Sequence, residues 1–247
     1  MRAVDRLYPE IQVGGFSRRD HKISFFSRVN ALLKGDEVVV DFGAGRGQWG
    51  DVQDSYAFRL QHMRGRVKEV IGLDVDEAVC ENPFMDRKFV ITPGEPLPLP
   101  DASVDLIYSY AVFEHVANPE FTASELDRIL KPGGWICAWT PNARGYIAAI
   151  ARMVPNRLHA KVLRKIGMVG NKPGQREDHD VFPTVYKMNG VAEVGRLFPG
   201  FENYSYCFSG PEGYAGKSMA LAGAMKLYNW LLPQSFGTHL YVFLRKK

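Results

Sequence analysis

The chain has 247 residues, of which 46% are hydrophobic and 23% charged, and its net charge at pH 7 is +4. This composition is that of an ordinary globular protein, long enough for one α/β domain with a full core, and it excludes a disordered chain. Three widely separated cysteines, Cys80, Cys137 and Cys207, exclude a disulfide framework and predict buried thiols in a reducing compartment and no metal site.

The targeting signals are weak. Residues 1–6 lack the apolar core of a secretory signal. The longest apolar stretch, residues 219–232, includes Lys226 and Asn229 and is shorter than the ~20 residues of a membrane-spanning helix. A cytoplasmic location is therefore expected.

The first predicted element is a helix over Lys22–Leu33, whose apolar residues Ile23, Phe26, Val29 and Leu33 share one face. It is preceded by Gly14-Gly-Phe-Ser-Arg-Arg-Asp20, which places Arg18 and Arg19 just before the helix. A structural cap is one role open to each of these two arginines.

Residues 38–47, Val-Val-Val-Asp-Phe-Gly-Ala-Gly-Arg-Gly, predict a buried strand followed by a ligand-binding turn. In an open α/β sheet, ligands bind just beyond the carboxyl ends of strands, and glycines there let the backbone approach a ligand closely. The third glycine comes one residue earlier than in the dinucleotide fingerprint, and Asp41 would repel a pyrophosphate but could hold an ammonium group. S-Adenosylmethionine, with its cationic amino acid end and no phosphate, fits this loop better than NAD.

A second strand, Val70–Leu73, ends in Asp74-Val75-Asp76. An acid at this point of a nucleotide-binding unit can accept hydrogen bonds from both ribose hydroxyls. The interval from Gly45 to Asp74 exceeds the usual ~20 residues, which predicts an insertion within residues 48–68. The alternative for Asp74 is a helix N-cap.

The remaining elements follow the same alternation of strand and helix. They are predicted as a fourth strand at Asp105–Ser109, a helix at Pro119–Leu130, a turn at Lys131–Gly134, a strand at Trp135–Trp139, a helix at Tyr186–Phe198 and two closing strands at Tyr204–Phe208 and His239–Leu244. The segment Ala215–Leu232 is predicted to be helical and packed on the sheet or on a lid.

In order along the chain, these motifs resemble the class I S-adenosylmethionine-dependent methyltransferases of the type 11-like group. The matching segments are residues 41–47, 72–75, 97–105, 114–116 and 130–135. The resemblance implies a Rossmann-like, seven-stranded, mostly parallel sheet with an antiparallel edge strand and a helical lid insertion. A single domain would then consist of a cap (1–35), a cofactor-binding core (36–142), a lid (143–185) and the C-terminal part of the sheet (186–247).

The resemblance also implies residue roles toward S-adenosylmethionine. Asp41 would lie near its amino group, Asp74 would take the ribose hydroxyls, and Val75 would pack against adenine. In many relatives an acidic residue accepts a hydrogen bond from the adenine amino group, and this chain has Thr92-Pro-Gly-Glu95 at that position. Three substitutes for the acid remain open: Thr92, Glu95 or a backbone carbonyl. The complete predicted cofactor set is Asp41, Gly43, Ala44, Gly45, Gly47, Asp74, Val75, Thr92, Glu95 and Ser109.

A basic segment begins just after the fifth predicted strand. Between Arg144 and Lys172 the chain has seven basic residues and no acid. The segment is either a solvated helical face or a lid that attracts an anionic substrate or membrane surface. Nucleic acid is disfavoured because Tyr146 is its single aromatic residue. The predicted acceptor-binding residues are Arg18, Arg19, Arg144, Arg157 and Arg164.

A hydroxyl acceptor needs a general base, and histidine is the natural base near neutral pH. His115 directly follows the fourth predicted strand, and His179 lies between Asp178 and Asp180 in the predicted lid. The catalytic candidates are therefore His179, His115 and Asp178. Packing and capping are the alternative for His115, and an ordinary loop is the alternative for the acidic cluster.

The acceptor is predicted from a narrower resemblance. Residues 154–159 and 180–186 look like bacterial methyltransferases of surface-polysaccharide or glycolipid assembly, which implies a sugar hydroxyl on a glycan or another small metabolite. An RNA or protein methyltransferase is a second hypothesis, disfavoured because no Asn/Asp-Pro-Pro-Tyr-type site is visible. A non-catalytic binding module is a third, disfavoured by the intact glycine loop and Asp74.

Overall fold

The computed structural model describes residues 2–47, 55–153, 182–211 and 213–247. The strands are β1 (Val38–Phe42), β2 (Glu69–Asp74), β3 (Arg87–Val90), β4 (Val104–Tyr110), β5 (Leu130–Pro141), β6 (Phe201–Asn203), β7 (Tyr206–Phe208) and β8 (His239–Lys246). The α-helices are α1 (Ala3–Leu7), α2 (His21–Ala31), α3 (Tyr56–Gln61), α4 (Pro119–Ile129), α5 (Tyr146–Met153), α6 (Val191–Leu197) and α7 (Met219–Leu231).

All eight strands form one sheet in the order β3-β2-β1-β4-β5-β8-β6, with β7 also paired to β8. Strands β1 to β5 are parallel, and β8 is antiparallel to β5, β6 and β7. This arrangement confirms the predicted Rossmann-like, mostly parallel fold, with eight strands where seven were expected because β7 adds a short pairing to β8. The strand order reverses between β1 and β4, so the carboxyl ends of these two strands border the crevice where such sheets bind ligands.

Several predicted boundaries differ from the structure. The helix expected at Tyr186–Phe198 begins only at Val191, and two other differences have local reasons. The strand expected at Tyr204–Phe208 is shortened to β7, and a separate strand, β6, precedes it. The Asn203 side chain accepts a hydrogen bond from the Ser205 amide at 2.9 Å and turns the backbone between them. The turn expected at Lys131–Gly134 lies inside β5 as an irregular start, where the register between β4 and β5 shifts.

Side chains on the two faces of the sheet alternate between two layers of the core. On one face Phe25, Phe26 and Val29 of α2 are fully buried against strand residues such as Val39 and Tyr108. The other face is covered by α4 and α6. Helix α2 begins at His21, one residue earlier than predicted, because Asp20 accepts hydrogen bonds from the amides of the helix's first turn.

Helix α7 lies within the predicted helical segment and contacts α5, the first helix of the predicted lid range, through the rings of Tyr228 and Tyr146, whose centroids are 5.1 Å apart. Within the helix Ala222 is buried, in a small cluster with Ala3 and Ala215, and most of the other side chains are exposed. Packing of this helix on the sheet is therefore not observed. Within the described ranges, no helix combines the length and apolar composition that crossing a bilayer requires.

Replacement of Phe26 by alanine tests the packing of α2. The ring is fully buried and lies 5.8 Å, centroid to centroid, from that of Tyr108. Its removal should lower the free energy of unfolding by about 3–5 kcal/mol, measured by denaturant titration. The control is Val13→Ala at an exposed position, which should change stability by less than about 0.5 kcal/mol. A small effect at Phe26 would mean that α2 does not hold this face of the sheet.

Candidate cofactor and acceptor site

The loop after β1 is shaped by its glycines. Gly43, Gly45 and Gly47 have φ angles of +90°, +49° and +76°, which L-residues with side chains rarely adopt. A Cβ atom on Gly43 would lie 2.1 Å from Cγ2 of Val112. The amides of Gly43 and Ala44 donate to the Leu73 carbonyl at 2.8 and 3.2 Å, which joins the loop to the end of β2.

Asp74 holds the next part of the loop. Its carboxylate accepts a hydrogen bond from the Gly45 amide at 2.7 Å and another from the Asp76 amide at 2.9 Å. The N-cap of the following 3-10 turn is Asp76, which accepts from the Ala78 amide at 2.9 Å. The N-cap alternative for Asp74 is therefore wrong, and its carboxylate instead faces the glycine loop.

Asp41 is buried beneath the same loop, with 6% of its surface exposed. The Tyr108 hydroxyl donates a hydrogen bond to its carboxylate at 2.8 Å. Burial raises the pKa of Asp41 to about 7, with a smaller contribution from the charge of Asp74, and the Tyr108 hydrogen bond opposes this rise. Burial also raises the pKa of Asp74, against the effect of the amides that it accepts from. Two poorly solvated carboxyl groups thus flank the loop, an arrangement that favours a cationic ligand.

Asn82 is a loop-binding residue that the sequence analysis missed. Its side-chain amide is buried and donates to the carbonyls of Ala44 and Gly45, both at 3.0 Å, while its oxygen accepts from the Phe84 amide at 3.0 Å. Asn82-Pro83 is a turn signal in the sequence. That signal marks a bend, but it does not show which way the side chain points.

The other predicted cofactor residues fall at the same edge of the sheet. Val75 is an apolar residue with 45% of its surface exposed, directly after Asp74. Thr92 and Glu95 are exposed in the turn that follows β3, and this turn is joined to β2 by the bond from the Ile91 amide to the Asp74 carbonyl at 2.8 Å. Ser109 is buried, and its hydroxyl donates to the Phe42 carbonyl at 2.8 Å, so it ties β4 to β1.

His115 lies in a short 3-10 turn just beyond β4. Its Nδ1 atom is 2.8 Å from the Pro183 carbonyl oxygen, and its Nε2 atom is 3.8 Å from the Glu114 carboxylate. Because a carbonyl oxygen can only accept, Nδ1 must carry the proton, which leaves the lone pair of the neutral ring on Nε2. Glu114 is buried and accepts a hydrogen bond from the Thr140 hydroxyl at 2.7 Å.

A cluster of four rings, which we call the ring cluster, lies at the carboxyl ends of β4 and β5. Trp139 packs against Tyr110, His21 and His239 with ring centroids 4.5, 4.8 and 4.9 Å away. Trp139 Nε1 and His239 Nδ1 are buried and have no hydrogen-bond partner among the described residues. Burial, together with the charge of His21, holds the pKa of His239 well below its usual value, so this imidazole is neutral near pH 7.

Three of the five predicted acceptor-binding arginines lie among the described residues: Arg18, Arg19 and Arg144. Arg19 donates to the Ser209 carbonyl at 2.8 and 3.1 Å, and Arg18 pairs with Glu10 at 3.6 Å, so both hold the N-terminal segment in place. Arg144 is exposed just beyond the end of β5. The remaining candidates lie outside the described residues: Arg157, Arg164, Asp178 and His179.

Comparison with known proteins agrees with this geometry. The fold and the acid-flanked glycine loop define an α/β protein that binds a nucleoside cofactor at the carboxyl edge of its sheet. Residues 40–138 match the family described as a methyltransferase domain. This segment thus resembles a methyltransferase domain, the fold is the one that solved methyltransferases have, and S-adenosylmethionine is the cofactor that the match implies.

Two curated relatives of this chain are named as methyltransferases. Over 145 residues the chain is 32% identical to a Mycolicibacterium smegmatis protein named a probable S-adenosylmethionine-dependent methyltransferase, covering 56% of this chain and 50% of that protein. Over 109 residues it is 35% identical to malonyl-[acyl-carrier protein] O-methyltransferase 1 of Coxiella burnetii, covering 44% of this chain and 33% of that protein. The chain thus spans half or less of the length of these relatives.

Solved structures agree on the fold. A S-adenosylmethionine-dependent methyltransferase from Methanosarcina mazei superposes with a TM-score of 0.53 and 16% identity, over 89% of this chain and 96% of that chain. The [4+2]-cyclase SpnF superposes with a TM-score of 0.51 and 15% identity, over 90% of this chain and 80% of that chain. Since a cyclase shares the fold, the fold alone does not define the reaction.

Replacement of Asn82 by aspartate should loosen the glycine loop. Aspartate keeps the acceptor for the Phe84 amide but cannot donate, and its charge would face the two carbonyls of Ala44 and Gly45. We expect S-adenosylhomocysteine affinity, measured by calorimetry, to fall at least about tenfold, which corresponds to about 1.4 kcal/mol. The matched control is Asn203→Asp, where an exposed side chain accepts from the Ser205 amide in the same way. Equal effects at both positions would contradict a role of Asn82 in binding.

Cofactor affinity should depend on pH through Asp41. Near its pKa of about 7 the carboxyl group of the free protein is partly protonated, whereas a bound ammonium group favours the ionised form. S-Adenosylhomocysteine should therefore bind more tightly as the pH rises from about 6 to about 8, and affinity should level off above this range. Asp41→Asn should bind more weakly and without this pH dependence. A flat profile in the wild-type protein would exclude contact between Asp41 and the amino group.

Proposed function

We propose that the protein transfers a methyl group from S-adenosylmethionine to a hydroxyl oxygen of a sugar, on a glycan or a small metabolite. The observation that carries this proposal is the pair of carboxyl groups on either side of the glycine loop, the buried Asp41 and the partly buried Asp74, both with raised pKa values. They fit a ligand with a cationic amino acid end and a ribose, and they oppose the pyrophosphate of a dinucleotide.

The chain's own groups account for binding of such a cofactor. Each carboxylate oxygen of Asp74 accepts one backbone amide and keeps a lone pair for a ribose hydroxyl. Asp41 supplies the negative charge for the amino group. Val75 offers exposed apolar surface to adenine, and the exposed turn with Thr92 and Glu95 offers polar groups beyond it.

An oxygen acceptor is supported by a relative and by the structure. The Coxiella burnetii protein is named an O-methyltransferase of malonyl-[acyl-carrier protein]. In this chain, the ring cluster joins the partly exposed rings of Tyr110 and His21 to the buried Trp139 and His239, whose Nε1 and Nδ1 atoms have no partners among the described residues. Aromatic faces with polar tips suit a sugar ring, whose C–H face is apolar and whose edge is polar.

In the reaction, the chain mainly aligns donor and acceptor for in-line displacement. When bound, S-adenosylmethionine supplies the methyl group on a positively charged sulfur. His115 takes the hydroxyl proton on Nε2, since Nδ1 is held as a donor by the Pro183 carbonyl. Glu114, 3.8 Å from Nε2, then stabilises the imidazolium ion that results. His179, with Asp178 beside it, is the second candidate for the base, and the acid-free basic segment of residues 143–176 suits an anionic acceptor.

Substitution of the histidines tests this mechanism, with methyl transfer followed as release of S-adenosylhomocysteine in the presence of candidate sugar acceptors. His115→Gln should lower turnover about 10²–10⁴-fold and leave S-adenosylhomocysteine affinity unchanged, as expected for loss of a general base. His62→Gln is the matched control, because His62 Nδ1 is also 2.8 Å from a backbone carbonyl, that of Phe58, while its ring packs on Phe58 and Phe84.

The same assay separates the alternatives. If His115→Gln is fully active and His179→Gln is inactive, the base lies in the predicted lid. Transfer to RNA or protein but to no sugar would replace the proposed acceptor. Tight S-adenosylhomocysteine binding without transfer to any acceptor would favour a non-catalytic module.

A further inference from the structure

The outward face of α7 is apolar along its whole length. Ala220, Ala224, Leu227 and Leu231 recur at helical spacing on the side opposite the buried Ala222. Leu227 has 53% of its surface exposed, and the neighbouring Trp230 has 78% exposed. A surface helix usually presents polar residues on this side, and among the described residues none covers this face of α7.

The apolar face continues onto α5. The ring of Tyr146 in α5 contacts that of Tyr228 in α7 with centroids 5.1 Å apart, and Ile150 of α5 is also exposed. Leu232 and Phe236, in the segment after α7, extend the exposed apolar surface in the other direction. We call the surface made by α5, α7 and residues 232–236 the apolar platform.

The two segments of the chain that form the platform contain basic residues and no acids. Residues 213–247 contain no Asp or Glu, and neither do residues 128–176. In the described part of these segments, four exposed charged residues border α5 and α7. All four are basic: Lys217, Lys226, Arg144 and Arg152. The acid of the adjacent helix α1, Asp5, is already paired with Arg2 at 2.9 Å.

We propose that the apolar platform docks on the surface of an anionic lipid bilayer, with α7 lying in the plane of the membrane. Leucine and tryptophan side chains would enter the interface, and the surrounding lysines and arginines would meet the negative headgroups. A second copy of the chain fits less well. A symmetric dimer through this face would place the basic residues that border α5 and α7 near those of the second copy, and neither helix has an acid to pair with them.

The platform lies at the end of the sheet that carries the cofactor loop. The Asn142 side chain, just after β5, donates to the carbonyls of Ser235 and Gly237 at 2.8 and 2.7 Å, and α5 begins four residues later. Docking would therefore turn the carboxyl ends of the strands toward the membrane. In this orientation the acceptor hydroxyl would belong to a lipid-linked molecule, because the site would face the membrane. That last step rests on the proposed function, whereas docking itself does not.

Co-sedimentation of the full chain with vesicles tests the docking. Vesicles of phosphatidylcholine alone are compared with an equal mixture of phosphatidylcholine and phosphatidylglycerol. The wild-type protein should sediment with the mixed vesicles, and added salt should weaken binding. Leu227→Glu should lower the partition coefficient at least about tenfold, because it places a charge in the apolar face. Lys217→Gln with Lys226→Gln should reduce the preference for the anionic vesicles.

The matched control is Tyr204→Glu. Tyr204 has 55% of its surface exposed, and its ring lies 5.8 Å from that of Trp135 at the other end of β5. This variant should sediment like the wild type. Leu227→Glu should retain S-adenosylhomocysteine affinity, which shows that it is folded and separates failure of docking from failure of the proposed function.

Two results would overturn the proposal. One is wild-type protein that stays in the supernatant with both kinds of vesicle. The other is a wild-type dimer in analytical ultracentrifugation that Leu227→Glu converts to a monomer without any change in vesicle binding, which would mean that a second copy covers the platform.

Discussion

The site depends on two carboxyl groups at the ends of adjacent strands, of which Asp41 is buried and Asp74 is partly shielded from water. Burial of a carboxylate is costly unless hydrogen bonds or an opposite charge offset it. Here the Tyr108 hydroxyl and the backbone amides of Gly45 and Asp76 supply the hydrogen bonds, and the pKa values of Asp41 and Asp74 remain raised. The remaining electrostatic cost is the part that a cationic ligand can relieve, so the same desolvation that destabilises the free site favours the bound state.

Neighbouring side chains leave no room for a side chain at Gly43 or Gly47, so these two positions of the loop require glycine. Val112 occupies the position that a Gly43 side chain would need, and Asn82 occupies the one that a Gly47 side chain would need. Val112 follows Ala111, a non-glycine residue in the left-handed region with φ of +61° at the end of β4. Such backbone conformations concentrate at functional sites, where surrounding structure holds them in place. The loop is thus shaped as much by β4 and by Asn82 as by its own residues.

One edge of the sheet collects every feature with a proposed function. The cofactor loop, His115, the ring cluster and the apolar platform all lie at or beyond the carboxyl ends of the parallel strands. The antiparallel strand β8 contributes because it starts at this edge: His239, its first residue, is opposite Pro141, the last residue of β5. A membrane-bound protein with this arrangement would receive a lipid-linked acceptor directly at its active edge.

The sequence by itself determined the strand-and-helix order, the glycine loop with its flanking acids, and the choice of S-adenosylmethionine, because hydrophobic periodicity and loop chemistry are local properties. Boundaries were less accurate where local side-chain bonds intervene, as at Asn203. The tertiary structure alone decided that Asn82 clamps the loop, that Asp76 and not Asp74 is the cap, and that His239 joins His21 and Trp139. It also decided that α7 turns an apolar face outward. These contacts join residues that are far apart in the chain or depend on which way a side chain points, and neither spacing nor composition encodes that direction.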